Sequence, residues 1–291
     1  MSLTKKLILG TAQFGQNYGI TNATGKVPKA EIKSIFRNAR SNQIHTLDTA
    51  SSYGDSEPLL GNIGVSDFDV ITKLPSLGSG TYDCYEVYKK SIESSLKDLK
   101  MSHIDTVLLH RPEELMSSYG DAIFDALCKL RDRGLFDRIG ISIYSPELLD
   151  DIYPKYFFDV IQVPLNVFDR RIISSGWLSR LSEMGVSVIA RSVFLQGILL
   201  SKVNDLPSYF SQWHPHFNQW IEFYQESGLS ALEASLQFIL QVPEIDKIIV
   251  GVESEHQLNE IVKATNNPVI IQSNDLETSD LGLISPVHWP S

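Results

Sequence analysis

Cysteine is scarce: the chain has 291 residues and only two, Cys84 and Cys128. Both lie in segments with helical patterning and away from any CxxC pair or histidine cluster. They read as reduced structural thiols rather than a disulfide framework or a redox pair. Positive charge is also short. Lys and Arg number 25 against 35 Asp and Glu, for a formal charge of −10. No basic stripe is available to neutralise phosphates, which speaks against a nucleic-acid or anionic-membrane partner. Long apolar runs are missing as well. The first one, Leu7-Ile8-Leu9-Gly10 after Lys5 and Lys6, is far too short for a signal peptide or a membrane span, so a cytoplasmic location is expected. The glycine-rich GxGxxG dinucleotide fingerprint is absent too, because the first apolar run continues Gly10-Thr11-Ala12-Gln13-Phe14-Gly15.

What the chain does contain is a repeated beat of short apolar runs and longer amphipathic ones. Strands are expected at 7–9, 44–47, 69–72, 104–109, 138–141, 160–163, 186–190 and 247–250. Helices are expected at 30–43, 57–63, 85–99, 120–133, 146–152, 175–184, 231–241 and 255–264. Strands that are apolar on both faces and alternate with helices make a parallel sheet covered by helices. Eight of them, evenly spaced, favour closure into a (β/α)8 TIM barrel over an open doubly wound sheet. With 43% hydrophobic residues the chain can fill such a core. One domain is expected, with the barrel over about residues 5–265 and a tail over 266–291.

Two segments break the beat. Residues 201–228 are rich in aromatics, among them Tyr209, Phe210, Trp213, Phe217, Trp220 and Tyr224. Placed after the seventh strand, they suit a lid or substrate wall on the catalytic face, or equally a packed helical pair or subunit contact. Within them, His214 and His216 form an HxH pair. With no carboxylate at ligand spacing nearby, it is not read as a metal site.

Four polar residues stand at or just beyond the ends of consecutive strands: Asp48, Tyr53, Lys73 and His110. In a parallel barrel strands two, three and four are neighbours, so these side chains can converge. A phenol is a poor proton donor near neutrality unless a nearby positive charge stabilises its phenolate, and Lys73 can supply that charge. Asp48 would keep the ammonium charged and oriented. His110 can donate a hydrogen bond to an oxygen on which negative charge grows. The set suits reduction of a carbonyl, with Tyr53 giving a proton to oxygen as a hydride reaches carbon. Taken singly, each residue has a plainer reading, as a surface lysine, a helix-capping aspartate or a structural histidine.

The strings around these residues resemble the aldo-keto reductase family. They are Asp48-Thr49-Ala50 with Tyr53-Gly54 and Glu57, Thr72-Lys73, and Leu108-Leu109-His110-Arg111-Pro112, and the resemblance runs from Leu7 to about Ala264. It implies NADP or NAD bound in extended form on a barrel without a Rossmann unit, and reduction of a small aldehyde or ketone, sugar-derived compounds included. It implies that Gly10, Thr11 and Asp48 face the cofactor. Ser142 and Gln162, with Asn166 beyond, resemble the segments that grip the nicotinamide carboxamide, although Ile143 stands where the family usually has asparagine. Arg191, Ser192, Phe194, Leu195 and Gln196 resemble the loop that stacks on nicotinamide and wraps the pyrophosphate. There Arg191 replaces an aromatic residue, either stacking as a planar cation or pairing with an acid. Gly251, Val252, Ser254, Gln257 and Glu260 resemble the adenosine-end motif. The acidic Glu253 beside Gln257 would repel a 2′-phosphate, which leaves NAD use, or loose dual use, open. Phe14 and Tyr18 are candidates for the pocket wall.

Two other readings compete with an active reductase. One is a cofactor-binding regulatory or redox-sensing subunit like the potassium-channel beta subunits that share the barrel. The other is a metal-dependent barrel hydrolase.

Overall fold

The computed structural model describes residues 3–22, 24–78, 83–271 and 275–290. Eight parallel strands close in sequence order into a barrel: β1 (Leu7–Gly10), β2 (Thr46–Asp48), β3 (Asp69–Leu74), β4 (Ile104–Leu109), β5 (Phe136–Ser142), β6 (Val160–Pro164), β7 (Ser187–Arg191) and β8 (Lys247–Gly251). The expected fold is present. Differences at strand ends are small and have local causes. In the second strand Ile44 lies buried before the first ladder pair, and pairing with β1 and β3 begins only at Thr46.

The eight expected helices are found, the long ones at Lys29–Ser41, Cys84–Leu99, Gly120–Asp132 and Glu255–Asn266. Each turns an apolar stripe inward. In Cys84–Leu99, for example, Tyr88, Ile92, Ser95 and Leu99 are buried at helical spacing, and Asp83 caps the first turn by accepting from the Glu86 N–H. These stripes pack on the outward faces of the strands as one continuous apolar shell.

The inward faces carry the information about function. Side chains alternate along a strand, and the inward positions of six strands form a separate apolar plug of Ile8, Ile71, Leu108, Val160 and Ile189 with Ile249 packed against it. Two residues further along the same six strands, and hence on the same inward face, stand Gly10, Lys73, His110, Gln162, Arg191 and Gly251. Asp48 and Ser142 join this upper layer, paired in register with Gly10 and Gln162. The barrel is thus stopped below with hydrocarbon and opens above onto polar residues.

The segment after β7 is neither wholly lid nor wholly packing. Residues 201–228 form short turns and the helix His214–Glu226, whose Phe217 and Trp220 are buried with Phe168, Ile198 and Phe210. The chain after β8 returns to complete this second core with Leu276, Leu283 and Ile284. Polar atoms fasten it: Trp213 Nε1 donates to Asp280 Oδ2 at 2.9 Å, Tyr209 to the Gly282 carbonyl at 3.1 Å, and His216 Nε2 to the Leu276 carbonyl at 2.9 Å. His216, half of the HxH pair, is therefore spent on packing. Residues 272–274 and 291 of the expected tail lie outside the described residues. Among the described residues no helix is long and apolar enough to cross a membrane.

Candidate active site

A cavity of about 830 Å³ opens over the plug at the carboxyl ends of the strands. At its inner end Asp48, Tyr53, Lys73 and His110 come together. The Lys73 ammonium donates to Asp48 Oδ1 and Oδ2, both at 2.7 Å, and to the Thr49 carbonyl at 2.9 Å. All three of its donors are used, and the two side chains are 1% and 6% exposed, so the pair is held in a water-poor corner. Burial pulls Lys73 below the ordinary lysine value, and the Asp48 carboxylate opposes that pull.

Tyr53 stands over this pair, with Lys73 Nζ 4.9 Å from the centre of its ring. Close backbone contact sets its loop. A Cβ on Gly15 would lie 1.8 Å from the Tyr53 carbonyl oxygen, and Gly54 takes φ +56° against Gly15. Only glycine allows the two loops to approach so closely. Burial first, and then Asp48, push the Tyr53 hydroxyl well above its ordinary value, against the opposing charge of Arg191. The cation expected beside the phenol, Lys73, is paired with Asp48 in the resting site. Asp48 neutralises the ammonium, and the resting phenol firmly holds its proton.

His110 meets Tyr53 edge to face, with ring centres 6.2 Å apart, and its Nδ1 lies 3.4 Å from the Ser52 hydroxyl. Burial, followed by the charges of Lys73 and Arg191, lowers its pKa to about 4. At neutral pH it is an uncharged imidazole, able to donate one hydrogen bond into the cavity without carrying charge.

From the other side of the corner a polar chain reaches Asp48. The Ser142 hydroxyl donates to Gln162 Oε1 at 3.0 Å, and Gln162 Nε2 donates to Asp48 Oδ2 at 2.8 Å. Among the described residues Gln162 keeps one N–H and one lone pair free for a ligand amide. The outer wall is the turn after β7, where Ser192, Leu195, Gln196 and Gly197 all take positive φ. Such strain persists where the surroundings hold it. Here Gln196 accepts from the Ile20 N–H through Oε1 at 3.2 Å and from the Thr21 hydroxyl through its carbonyl at 3.0 Å. On the rim, Gly10 pairs with Gly251, and a Cβ on Gly251 would come within 2.4 Å of Gln13. The missing side chains leave that stretch of wall open.

Most residues expected at a cofactor site line the cavity: Gly10, Thr11, Ser142, Gln162, Arg191, Ser192, Phe194, Gln196, Gly251, Gln257 and Glu260. Thr11 is fully buried, and its hydroxyl donates to the Asp48 carbonyl at 3.0 Å. The side chains of Leu195, Val252 and Ser254 go elsewhere. Leu195 is in the second core, Val252 is in the outer shell, and Ser254 caps helix Glu255–Asn266 by accepting from the Gln257 N–H. Asn166 is also spent, donating to the Ser192 carbonyl and accepting from the Phe168 and Asp169 N–H groups. Phe14 sits in the outer shell, whereas Tyr18 lines the cavity. Sequence reasoning passed over Tyr144 and Lys202. Tyr144 lies two residues beyond inward-facing Ser142, so the same alternation points to it. Lys202 had no signal, being one exposed lysine in an irregular loop.

The aldo/keto reductase family profile matches residues 6–276. The chain belongs to the aldo/keto reductase family. It is an NAD(P)-dependent oxidoreductase whose general chemistry is carbonyl reduction. The Bacillus subtilis (strain 168) protein named uncharacterized oxidoreductase YqkF is 29% identical over 258 residues, covering 82% of this chain and 83% of that one. L-glyceraldehyde 3-phosphate reductase of Escherichia coli O157:H7 is 27% identical over 293 residues, covering 86% and 82%. Among solved structures, aldo-keto reductase AKR11C1 from Bacillus halodurans in its holo form superposes with a TM-score of 0.73 at 21% identity, covering 91% of this chain and 88% of that one.

The donor set fits the nicotinamide cofactor that this family uses. The hydroxyl and amide of Ser142 and Gln162 suit a carboxamide, the turn 192–197 borders an open rim, and Lys202 brings a cation to the cavity wall.

Proposed function

We propose that this enzyme reduces a small aldehyde or ketone to the alcohol, with Tyr53 as proton donor, Lys73 and Asp48 setting its electrostatics, and His110 donating to the carbonyl oxygen. The convergence of these four side chains at the inner end of one cavity carries the reading. Bound NAD(P)H would supply the hydride, held by Ser142 and Gln162 at the nicotinamide end and by the turn after β7. The rest of the work falls to the protein. Neutral His110 polarises the carbonyl without a proton to lose, and a fully protonated Tyr53 gives its proton to oxygen as negative charge arrives there. Lys73 steadies the phenolate left behind, and the buried Asp48 keeps that lysine charged. The adenosine end supports NAD, or both cofactors, rather than a strong NADP preference. Glu253 and Glu260 line the cavity, and among the described residues neither has a lysine or arginine partner. A carboxylate repels a 2′-phosphate but accepts from a ribose hydroxyl.

The test is a panel of short-chain and sugar-derived carbonyl compounds with both reduced cofactors, run on the wild type and Tyr53→Phe. Wild-type turnover, no strong NADP preference, and a variant that binds cofactor normally but turns over at least a hundredfold more slowly are expected. Near-normal turnover by Tyr53→Phe would remove the phenol from its assigned role.

A further inference from the structure

The inner corner holds one positive charge too many. Lys73 and Asp48 cancel, and His110 is neutral, but Arg191 adds a guanidinium whose partners are all uncharged. Its NH2 group donates to the Ile143 carbonyl at 2.9 Å and its NH1 group to the Ser192 hydroxyl at 3.2 Å, while its Cζ lies 4.3 Å from the centre of the Tyr144 ring. Among the described residues its buried Nε has no hydrogen-bond partner. Among the described residues no carboxylate pairs with it, so the alternative of an acid-paired arginine does not hold. The charge is felt where the chemistry is: Arg191 contributes to lowering His110, and it opposes the rise of Tyr53. It stands at the end of β7, on the inward face that also carries Gln162 and Lys73.

A nicotinamide ring is neutral when reduced and positively charged when oxidised. A fixed, uncompensated cation beside the ring therefore penalises one redox form and not the other. We infer that Arg191 makes this site discriminate between the two forms of its cofactor, binding NAD(P)H in preference to NAD(P)⁺ and so hastening release of the oxidised form after carbonyl reduction. The inference rests on the proposed placement of the nicotinamide end beside Ser142 and Gln162. Atoms and charge balance, and the guanidinium opposes the charge that hydride transfer places on the ring while it promotes the release that follows. Carbonyl, NAD(P)H and a proton give alcohol and NAD(P)⁺, and the product that must leave is the one the guanidinium repels. Direct contact is not required, because the effect is Coulombic and acts across several ångströms of poorly screened space.

The test is binding rather than turnover. Dissociation constants for NAD⁺ and NADH are measured by tryptophan fluorescence or calorimetry on the wild type, Arg191→Gln and Arg191→Lys. The ratio of the two constants, oxidised over reduced, should fall about tenfold in Arg191→Gln, chiefly through tighter NAD⁺ binding, as expected for unit charges several ångströms apart in a partly solvated corner. Arg191→Lys, which keeps the charge but not the planar group, should retain the wild-type ratio. Should the glutamine variant fail to fold, Arg191→Met serves in its place. Equal weakening of both forms in the neutral variants would mean that Arg191 only packs or stacks, and would overturn the inference alone. Failure of the wild type to bind either form would overturn it together with the reading on which it rests.

Discussion

Replacing Lys73 by methionine removes the ammonium and keeps most of the volume. Asp48 Oδ1 then has no described partner, and Oδ2 keeps only Gln162 Nε2. A buried ion pair broken on one side leaves an uncompensated charge, at a cost of roughly 3–5 kcal/mol. Against the ~5–15 kcal/mol typical of a whole domain, that is a large share. If charge is the cause, removing the other half of the pair should cure it: Asp48→Asn/Lys73→Met should recover to within about 1–2 kcal/mol of the wild type. Turnover should not recover, because Tyr53 would still lack its cationic neighbour, and a loss of about 10²–10⁴ in kcat is expected in both variants. Urea unfolding followed by circular dichroism reads the first quantity, and steady-state carbonyl reduction the second. A double variant as unstable as Lys73→Met would refute the electrostatic account of stability. A double variant that turns over like the wild type would refute the role given to Lys73.

Two more outcomes follow from the same corner. The His110 pKa, lowered to about 4, lies below the unfolded value near 6.5. The unfolded chain therefore takes up a proton that the folded chain refuses as pH falls through that window. The contribution is intact above about pH 6.5 and lost on descent toward about pH 4, and His110→Gln should lack that component of acid destabilisation. An NMR titration of His110 with a midpoint near 6.5 would contradict this. In Gly15→Ala, the new methyl must push away the backbone of Tyr53 and Ser56. A stability loss of about 1–3 kcal/mol is expected, together with a fall in kcat of about a hundredfold for a shift of the phenol by about 1 Å. Unchanged kinetics and melting temperature would show that the loop contact does not position Tyr53.

Much of the fold and some of the site were legible because a barrel strand has period two. The apolar plug and the polar layer above it are the same inward series read two residues apart, as Ile71 and Lys73, or Leu108 and His110. The rest of the proposed catalytic set, Asp48 and Tyr53, lies at or just beyond the end of the second strand. Tyr144 follows Ser142 by the same step and could have been read. Leu195, Val252 and Ser254 went the other way, because proximity to a cofactor motif in sequence does not say whether a side chain faces the cavity, the shell or its own helix. The aromatic segment 201–228 was ambiguous for a different reason: what covers Trp220 and Phe217 is a tail more than fifty residues later.

By itself, the sequence determined the alternation of eight strands and helices and the identity of the four polar side chains at neighbouring strand ends, since both follow from local periodicity and residue type. Only the tertiary structure decided the charge state of the corner. Asp48 cancels Lys73, burial keeps Tyr53 protonated and His110 neutral, and among the described residues Arg191 is left without a counter-ion. Electrostatics depends on distance and desolvation, and neither is set until strands far apart in the chain have closed around the same cavity.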